Sequence, residues 1–261
     1  MTNRPTALVT GAGKRIGRAV SMALAKNGWD VAVHYNQSAD EALSLKAEIE
    51  AQGAEAVIVQ ADLLLEDETS SLVERAAEAM KRPLTALINN ASTFEHDDIK
   101  TATRASWDLH MGANLRAPFV LTQAFAAQCP DKGNIINIID ERVWNLTPSF
   151  VTYTLSKAGL WTLTQTMALA LAPGIRVNAI GPGPTLASSR QTAEQFAAQC
   201  DPLPLGHGAD PDDISNAVLY ILSARAMTGQ MIALDGGQHL AWNADAARRA
   251  VRHYMLPTLP A

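Results

Sequence analysis

The chain has 261 residues, of which 48% are hydrophobic and 18% are charged, a balance typical of a single large globular domain. Its net charge is -5 and it has no block of like charges, so neither nucleic-acid binding nor membrane-surface binding is expected. The two cysteines, Cys129 and Cys200, have no metal-ligand spacing and predict no metal site and no disulfide framework. Because no run has the apolar length of a membrane span and the N-terminus lacks a signal peptide, we expect a cytoplasmic protein.

In chain order, short β-rich runs alternate with stretches of helical periodicity. The predicted strands are residues 6–10, 30–35, 56–60, 84–88, 134–138, 175–179 and 231–234, and the predicted helices include 16–26, 39–52 and 68–80. Nearly continuous apolar strands that alternate with helices indicate a parallel sheet covered on both faces. We therefore predict an α/β fold over residues 1–242, a single doubly wound Rossmann domain with a seven-stranded parallel sheet. Residues 181–184 and 186–208 are predicted loops, the latter over the substrate, and residues 243–261 a C-terminal tail outside the sheet.

A glycine-rich turn, residues 10–17 with the sequence TGAGKRIG, joins the first strand to the first helix. Its spacing differs from G-x-G-x-x-G, but glycine lets the backbone approach a pyrophosphate closely. The N-terminus of the following helix adds free N–H groups and a partial positive charge. The position of the turn therefore predicts a dinucleotide phosphate site.

The end of the second strand, residues 34–38 with the sequence HYNQS, has no carboxylate. In dinucleotide-binding folds an acidic residue at this place usually holds the ribose hydroxyls of NAD. A carboxylate would repel a 2′-phosphate, so its absence predicts NADP(H), with Asn36 and Ser38 as hydrogen-bond donors and Lys14 as added positive charge. The alternative is that Ser38 only caps the helix that begins near Ala39.

Tyr153 and Lys157 are four residues apart in a helical run, so their side chains share one face. A nearby ammonium favours the phenolate, and we expect Lys157 to lower the pKa of Tyr153 and make it a general acid. Lys157 can also hydrogen-bond the nicotinamide ribose. Such pairs are common on helix surfaces, and this one is meaningful only together with the glycine-rich turn.

Asn114 precedes Pro118 by four residues in a helical stretch. Proline has no N–H to bond the carbonyl of Asn114, so we expect a kink there and a free carbonyl. Near Lys157 that carbonyl would hold a proton-relay water. The alternative is a packing kink with no catalytic consequence.

The combination of these motifs resembles the short-chain dehydrogenase/reductase family from Thr6 to about Gly237. The motifs are residues 10–17, Asp62, the run 89–91 (NNA), Asn114, the Tyr153 and Lys157 pair, and residues 181–183 (GPG). The resemblance implies that Tyr153, Lys157 and Asn114 are catalytic. It also implies that Asp62 faces the adenine, Asn90 supports the cofactor, and Pro182 and Gly183 border the nicotinamide.

Two positions depart from the usual pattern of that family. Arg15 stands where the family has glycine, and Asp140 stands where a serine ends the fifth strand. An ionised carboxylate cannot donate a hydrogen bond to a ketone. Ser149 and Thr152 lie nearby but do not occupy the serine position, so an ordinary ketone reductase would lack a substrate partner.

Arg15 with Asp140 resembles the pteridine reductases, whose bacterial branch comprises the dihydromonapterin or alternative dihydrofolate reductases. The runs 34–38, 90–94 (NASTF) and 181–185 (GPGPT) add to this resemblance. It implies that Phe94 stacks a pterin against the nicotinamide and that Ser92 bonds the substrate or the cofactor. It also implies that Arg15 lies near the phosphates and the pterin, and that Asp140 orients Tyr153.

The resemblance therefore implies an NADPH-dependent reductase that converts a dihydropterin or dihydrofolate to the tetrahydro form, and with it we expect a homotetramer. Two alternatives stay open: another carbonyl reductase, such as a 3-oxoacyl carrier-protein reductase or a sugar/alcohol dehydrogenase, and a catalytically silent nucleotide sensor. The predicted catalytic residues are Asp140, Tyr153, Lys157 and Asn114. The predicted substrate contacts are Arg15, Ser92, Phe94, Asp140 and Tyr153. The predicted cofactor contacts are Gly11, Lys14, Arg15, Ile16, His34, Tyr35, Asn36, Ser38, Asp62, Leu63, Asn90, Ala91, Ser92, Tyr153, Lys157, Pro182 and Gly183.

Overall fold

The computed structural model describes residues 4–129, 131–188 and 191–240, and the predicted tail 243–261 lies outside them. The strands are β1 (Thr6–Val9), β2 (Asp30–Tyr35), β3 (Ala56–Gln60), β4 (Ala86–Asn89), β5 (Gly133–Ile138), β6 (Ile175–Pro182) and β7 (Met231–Leu234). They form one seven-stranded sheet in the order β3-β2-β1-β4-β5-β6-β7, and every pairing is parallel. The predicted fold class is confirmed.

The helices cover both faces of this sheet. They are α1 (Arg15–Lys26), α2 (Ala39–Ala51), α3 (Glu66–Met80), α4 (Arg104–Met111), α5 (Ala117–Gln128), α6 (Val151–Ala170), α7 (Ala193–Cys200) and α8 (Pro211–Ser223). Alternate residues of a strand point to opposite faces. Accordingly Ala7 and Val9 of β1 pack into the core beneath α1, α2 and α8, whereas Leu8 packs into the core beneath α3 and α5.

Several predicted boundaries differ from the observed ones, and three of the differences have identifiable reasons. Strand β4 begins at Ala86 rather than residue 84, because the Leu84 N–H bonds the Gln128 side chain at 3.0 Å and not a neighbouring strand. Strand β6 continues through residues 181–182, which were predicted as a loop. A proline is tolerated there because beyond Ile180 the strand pairs only with β7. The predicted loop 186–208 contains α7, which begins with a capping box between Thr192 and Gln195.

The order of the strands places the candidate residues together. The chain moves outward from β1 to β3 and then returns to β4, so the carboxyl ends of β1 and β4 lie side by side at the switch in direction. In open parallel sheets, ligands bind at this place. Within the described residues, no helix combines the length and the apolar character that crossing a membrane requires.

Candidate functional site

The glycine-rich turn is built tightly at the end of β1. Gly11 adopts a φ of +60, and a methyl group on Gly17 would lie 2.3 Å from the Gly11 carbonyl oxygen. The Asn90 amide donates to the Thr10 carbonyl at 2.8 Å, which joins the turn to the end of β4. Asn90 therefore supports the turn, whereas the resemblance implied that it supports the cofactor.

His34 fixes the same turn from beneath. Its Nδ1 accepts from the Gly11 N–H at 3.0 Å, so the proton is on Nε2, which donates to the Ala61 carbonyl at 3.1 Å. The side chain is buried, and burial lowers the pKa of His34 to about 4. Both ring nitrogens are thus engaged within the protein. His34 holds the shape of the turn, whereas it was predicted to contact the cofactor.

The N-terminus of α1 is suited to an anion. Its first turn carries no carboxylate, and the preceding Lys14 side chain makes no capping bond. A cleft of about 490 Å³ opens beside it, lined by Gly13, Lys14, Arg15, Arg18, Asp40, Glu41 and Ser44. The Lys14 ammonium lies 2.7 Å from the Glu41 carboxylate, and both side chains are exposed. Glu41 at the start of α2 therefore neutralises part of the positive charge of this cleft.

The serine that precedes α2 does not cap it. Ser38 occupies the N-cap position, but its hydroxyl makes no capping hydrogen bond. The alternative reading of Ser38 as only a helix cap is therefore wrong. Asn36 is exposed and Tyr35 half-buried at the end of β2, so the polar tip of this strand is accessible.

Arg15 adopts a left-handed backbone conformation with φ +53. Its guanidinium donates to the carbonyl of Ala187 at 2.8 Å and to that of Leu186 at 3.0 Å. These carbonyls belong to the segment after β6 that was predicted to cover the substrate. Arg15 thus connects the glycine-rich turn to that segment across the carboxyl ends of the strands.

Tyr153 and Asp140 form a direct pair at the end of β5. The Tyr153 hydroxyl donates to Asp140 Oδ2 at 2.8 Å, and Asp140 Oδ1 accepts the Arg142 N–H at 2.9 Å. The Lys157 ammonium donates to the Ile138 carbonyl at 2.9 Å and lies 5.8 Å from the centroid of the Tyr153 ring. The structure therefore brings together Asp140, Tyr153 and Lys157 as predicted.

The predicted lowering of the Tyr153 pKa was wrong. Burial, followed by the negative charge of Asp140, raises the pKa of Tyr153 above its ordinary value, whereas a lowered value was predicted. Burial also lowers the pKa of Lys157 to about 8, against the opposing effect of Asp140. The phenol consequently holds its proton at neutral pH, with a carboxylate as its acceptor.

Asn114 lies in a π-helical segment, Gly112–Arg116, between α4 and α5. The predicted kink before Pro118 takes this form, since a π turn widens the helix by one residue. The side chain accepts from the Thr93 N–H at 2.8 Å and from the Ser92 hydroxyl at 3.0 Å, and donates to the Ser156 hydroxyl at 3.1 Å. Asn114 therefore anchors the segment after β4 to α6.

The segment after β4 carries Phe94 beside the Tyr153 ring. The two ring centroids are 4.7 Å apart in an edge arrangement, and Phe94 stacks on Phe150 at 4.4 Å. Phe94 nevertheless remains 42% exposed. Ser92 is also exposed, so both side chains border open space next to the tyrosine.

Sequence reasoning missed a buried chain of hydrogen bonds that holds this segment. His110 Nε2 accepts from the Glu95 N–H at 3.0 Å, and its Nδ1 donates to the Thr152 hydroxyl at 2.7 Å. That hydroxyl in turn donates to Asp97. Thr152 was considered only as a substitute for the missing serine. In the sequence, the position of Thr152 directly before Tyr153 was the one signal that could have indicated this role.

Other predicted residues lie at the rim. Asp62 folds back on its own loop, where its carboxylate accepts the Leu64 N–H at 3.0 Å, and Leu63 is half-buried. The Gly183 N–H bonds the Leu234 carbonyl at 2.9 Å, directly after Pro182 ends β6. Two further predicted contacts, Ile16 and Ala91, are half-buried beside the turn.

Comparison with known proteins shows sequence similarity over nearly the whole chain. A family model described as enoyl-(acyl carrier protein) reductase matches residues 11–239. The 3-oxoacyl-[acyl-carrier-protein] reductase of Staphylococcus epidermidis is 33% identical over 245 residues, which are 90% of this chain and 99% of that protein.

Solved structures give a closer likeness. The alternative dihydrofolate reductase 1 (FolM) of Brucella suis, in complex with NADP, is 45% identical with a TM-score of 0.89, over 93% of this chain and 97% of that one. A blue fluorescent protein from a metagenomic library, in complex with NADPH, is 32% identical with a TM-score of 0.83, over 89% of this chain and 97% of that one. The residues matched by the family model, 11–239, include Gly11 to Gly17 of the glycine-rich turn and the tyrosine pair.

Proposed function

Because the chain belongs to the short-chain dehydrogenase/reductase family, we propose that it is an NADPH-dependent oxidoreductase that reduces a dihydropterin or dihydrofolate to the tetrahydro form. The observation that carries the proposal is the hydrogen bond of 2.8 Å from the Tyr153 hydroxyl to Asp140. The carboxylate stands where the family has a serine that donates to a ketone. A site with this pair is suited to a substrate that needs a proton and no donor to a carbonyl oxygen.

The residues around the glycine-rich turn fit NADPH. The first turn of α1 has no carboxylate and no side-chain cap, so its N–H groups are directed toward an incoming pyrophosphate. Lys14 supplies positive charge to a 2′-phosphate at the cleft, and the Ser38 hydroxyl is not engaged as a cap. The FolM structure of Brucella suis contains NADP, which supports the same assignment.

When bound, NADPH supplies the hydride. Tyr153 holds the proton at its hydroxyl oxygen, because burial and Asp140 raise its pKa. Reduction of the C=N bond of a dihydropterin requires that proton at the ring nitrogen. After the transfer, the phenolate would face Asp140, and the Lys157 ammonium beside the ring offsets this negative charge.

Phe94 is placed to bind a flat heteroaromatic ring. Its ring is held by stacking on Phe150, while 42% of the residue is exposed next to Tyr153. Aromatic faces bind other aromatic rings in offset stacks. The buried chain from Asp97 through Thr152 to His110 keeps this segment in place.

The experiment is NADPH consumption with dihydrobiopterin, dihydromonapterin and dihydrofolate, each repeated with NADH and alongside a panel of ketones that includes a 3-oxoacyl thioester. We expect turnover of at least one pterin or folate, with NADPH preferred. Oxidation of NADPH by ketones alone would overturn the substrate assignment and leave the family unchanged.

The second candidate is a 3-oxoacyl carrier-protein reductase. It is favoured by the curated Staphylococcus epidermidis relative at 33% identity. Asp140 argues against it, because its two carboxylate oxygens accept hydrogen bonds from Tyr153 and from the Arg142 N–H. Neither oxygen can donate to a ketone while the carboxylate is ionised.

A further inference from the structure

Glu141 follows Asp140 directly, in the short 3-10 helix Glu141–Val143. It is 3% exposed, and its Oε2 has no hydrogen-bond partner. A buried carboxylate oxygen without a donor disfavours the ionised form of the group. The position of this side chain beside the Asp140 and Tyr153 pair therefore requires an explanation that the proposed reaction does not yet supply.

The charged groups around Glu141 come from two parts of the chain. Asp140 and Arg142 flank it in sequence, and Asp235 approaches from the turn after β7. The Arg142 guanidinium donates to the Thr147 hydroxyl at 2.8 Å and lies 5.1 Å from the centroid of the Phe150 ring. Its hydrogen bond and ring contact are thus made with Thr147 and Phe150, while its positive charge offsets part of the effect of the two aspartates on Glu141.

The hydrogen-bond donors decide which of the three acids carries a proton. Asp140 accepts from Tyr153 and from a backbone N–H, and Asp235 accepts from the N–H groups of Gly237 and His239 and from the His239 ring. Hydrogen bonds of this kind stabilise the ionised form, and nearby like charges oppose further ionisation. Glu141 has like charges nearby and an oxygen without a donor, so the proton resides on it.

We propose that Glu141 is a positioning residue that stays a neutral carboxylic acid, and so keeps a single negative charge beside the proton donor Tyr153. In agreement, burial, followed by the charge of Asp140, raises the pKa of Glu141 to about 8. When Glu141 ionises, a second carboxylate opposes formation of the tyrosine phenolate. The inference rests on the proposed role of Tyr153 as the proton donor, and it predicts that activity falls as Glu141 loses its proton.

The test compares wild type with Glu141→Gln, which is neutral at every pH and similar in shape, and with Glu78→Gln at an exposed site on α3 as a control. We expect the kcat/KM of wild type to fall about tenfold per pH unit above the pKa of Glu141. Glu141→Gln should keep its activity at pH 7 within about twofold and decline less steeply above pH 8, because deprotonation of Lys157, with a pKa of about 8, then acts without the added charge of Glu141. Superimposable profiles for wild type and Glu141→Gln would overturn the proposal.

Two further readouts do not depend on turnover. The pKa of Glu141 is higher in the folded protein than in the unfolded chain, so folding stability falls as pH rises from about 4.5 to about 8. The Tm of Glu141→Gln should therefore exceed that of wild type by an amount that grows with pH, and a constant difference would contradict the inference. In wild type alone, infrared titration should show a protonated carboxyl band at pH 7 that disappears by pH 9, and its absence at pH 7 would also overturn it. If no substrate is reduced, the proposed function fails while these readouts still decide the charge of Glu141.

Discussion

Lowering the pH should reduce the stability of the folded protein through His34, which supports the glycine-rich turn. Burial lowers the pKa of His34 to about 4 from 6.5, so between these values the unfolded chain binds a proton that the folded protein does not. Stability from this group is complete above pH 6.5 and is lost as pH falls toward 4. At about 1.4 kcal/mol per pH unit, the full loss is about 3 kcal/mol, of which about 2 kcal/mol falls between pH 7 and pH 5.

The assay is urea unfolding at pH 7 and pH 5, together with NADPH titration by fluorescence at the same two values. With a folded-state pKa of about 4, His34 stays mostly neutral at pH 5 and still accepts the Gly11 N–H, so we expect the Kd for NADPH to change little between the two pH values. His34→Gln cannot titrate and should lose less stability over this range than wild type. His207→Gln, at an exposed loop position, is the control. An equal loss of stability in wild type and His34→Gln would refute the reasoning.

The other predictions concern the tyrosine pair, the cofactor cleft and assembly. Tyr153→Phe should lower kcat by about 10²–10⁴-fold with an unchanged Kd for NADPH, and retained turnover would place the proton donor elsewhere. Asp140→Ser should lower pterin turnover at least about tenfold and create ketone reduction, whereas Asp108→Asn on the exposed face of α4 should change neither. Lys14→Ala should weaken the binding of NADPH about tenfold and that of NADH much less. Glu41→Gln should tighten the binding of NADPH, because it frees Lys14 from its ion pair. Equal effects of Lys14→Ala on the binding of the two cofactors would exclude a contact with the 2′-phosphate. Sedimentation at micromolar protein concentration should show a homotetramer, and a monomer would contradict this prediction.

The fold could be predicted because apolar runs and helical periodicity repeat regularly along the chain. Strands β2, β3 and β7 have the predicted bounds. The helix α7 was missed because its capping box lies in a region rich in glycine and proline, where local signals favour a loop. The end of β6 was missed because the tolerance of Pro182 depends on which neighbouring strand it faces, and that is a property of the sheet.

The candidate site was predictable where residue spacing fixes geometry, as with Tyr153 and Lys157. It was not predictable where burial outweighs spacing. The pKa of Tyr153 rises because desolvation and the charge of Asp140 exceed the lowering effect of Arg142. From the sequence, the side chain of His34 could equally have faced the ligand site or the protein interior. Only the folded chain brings the Gly11 N–H and the Ala61 carbonyl to its two ring nitrogens.

The contact of Arg15 with the segment after β6 links two parts of the site thermodynamically. Its guanidinium donates to the carbonyls of Leu186 and Ala187, and the N–H groups used there cannot at the same time bond a phosphate. A ligand that draws Arg15 toward the glycine-rich turn therefore releases these two carbonyls. Since linkage is reciprocal, a second ligand that holds this segment in its present place weakens the binding of the ligand at the glycine-rich turn by the same free energy.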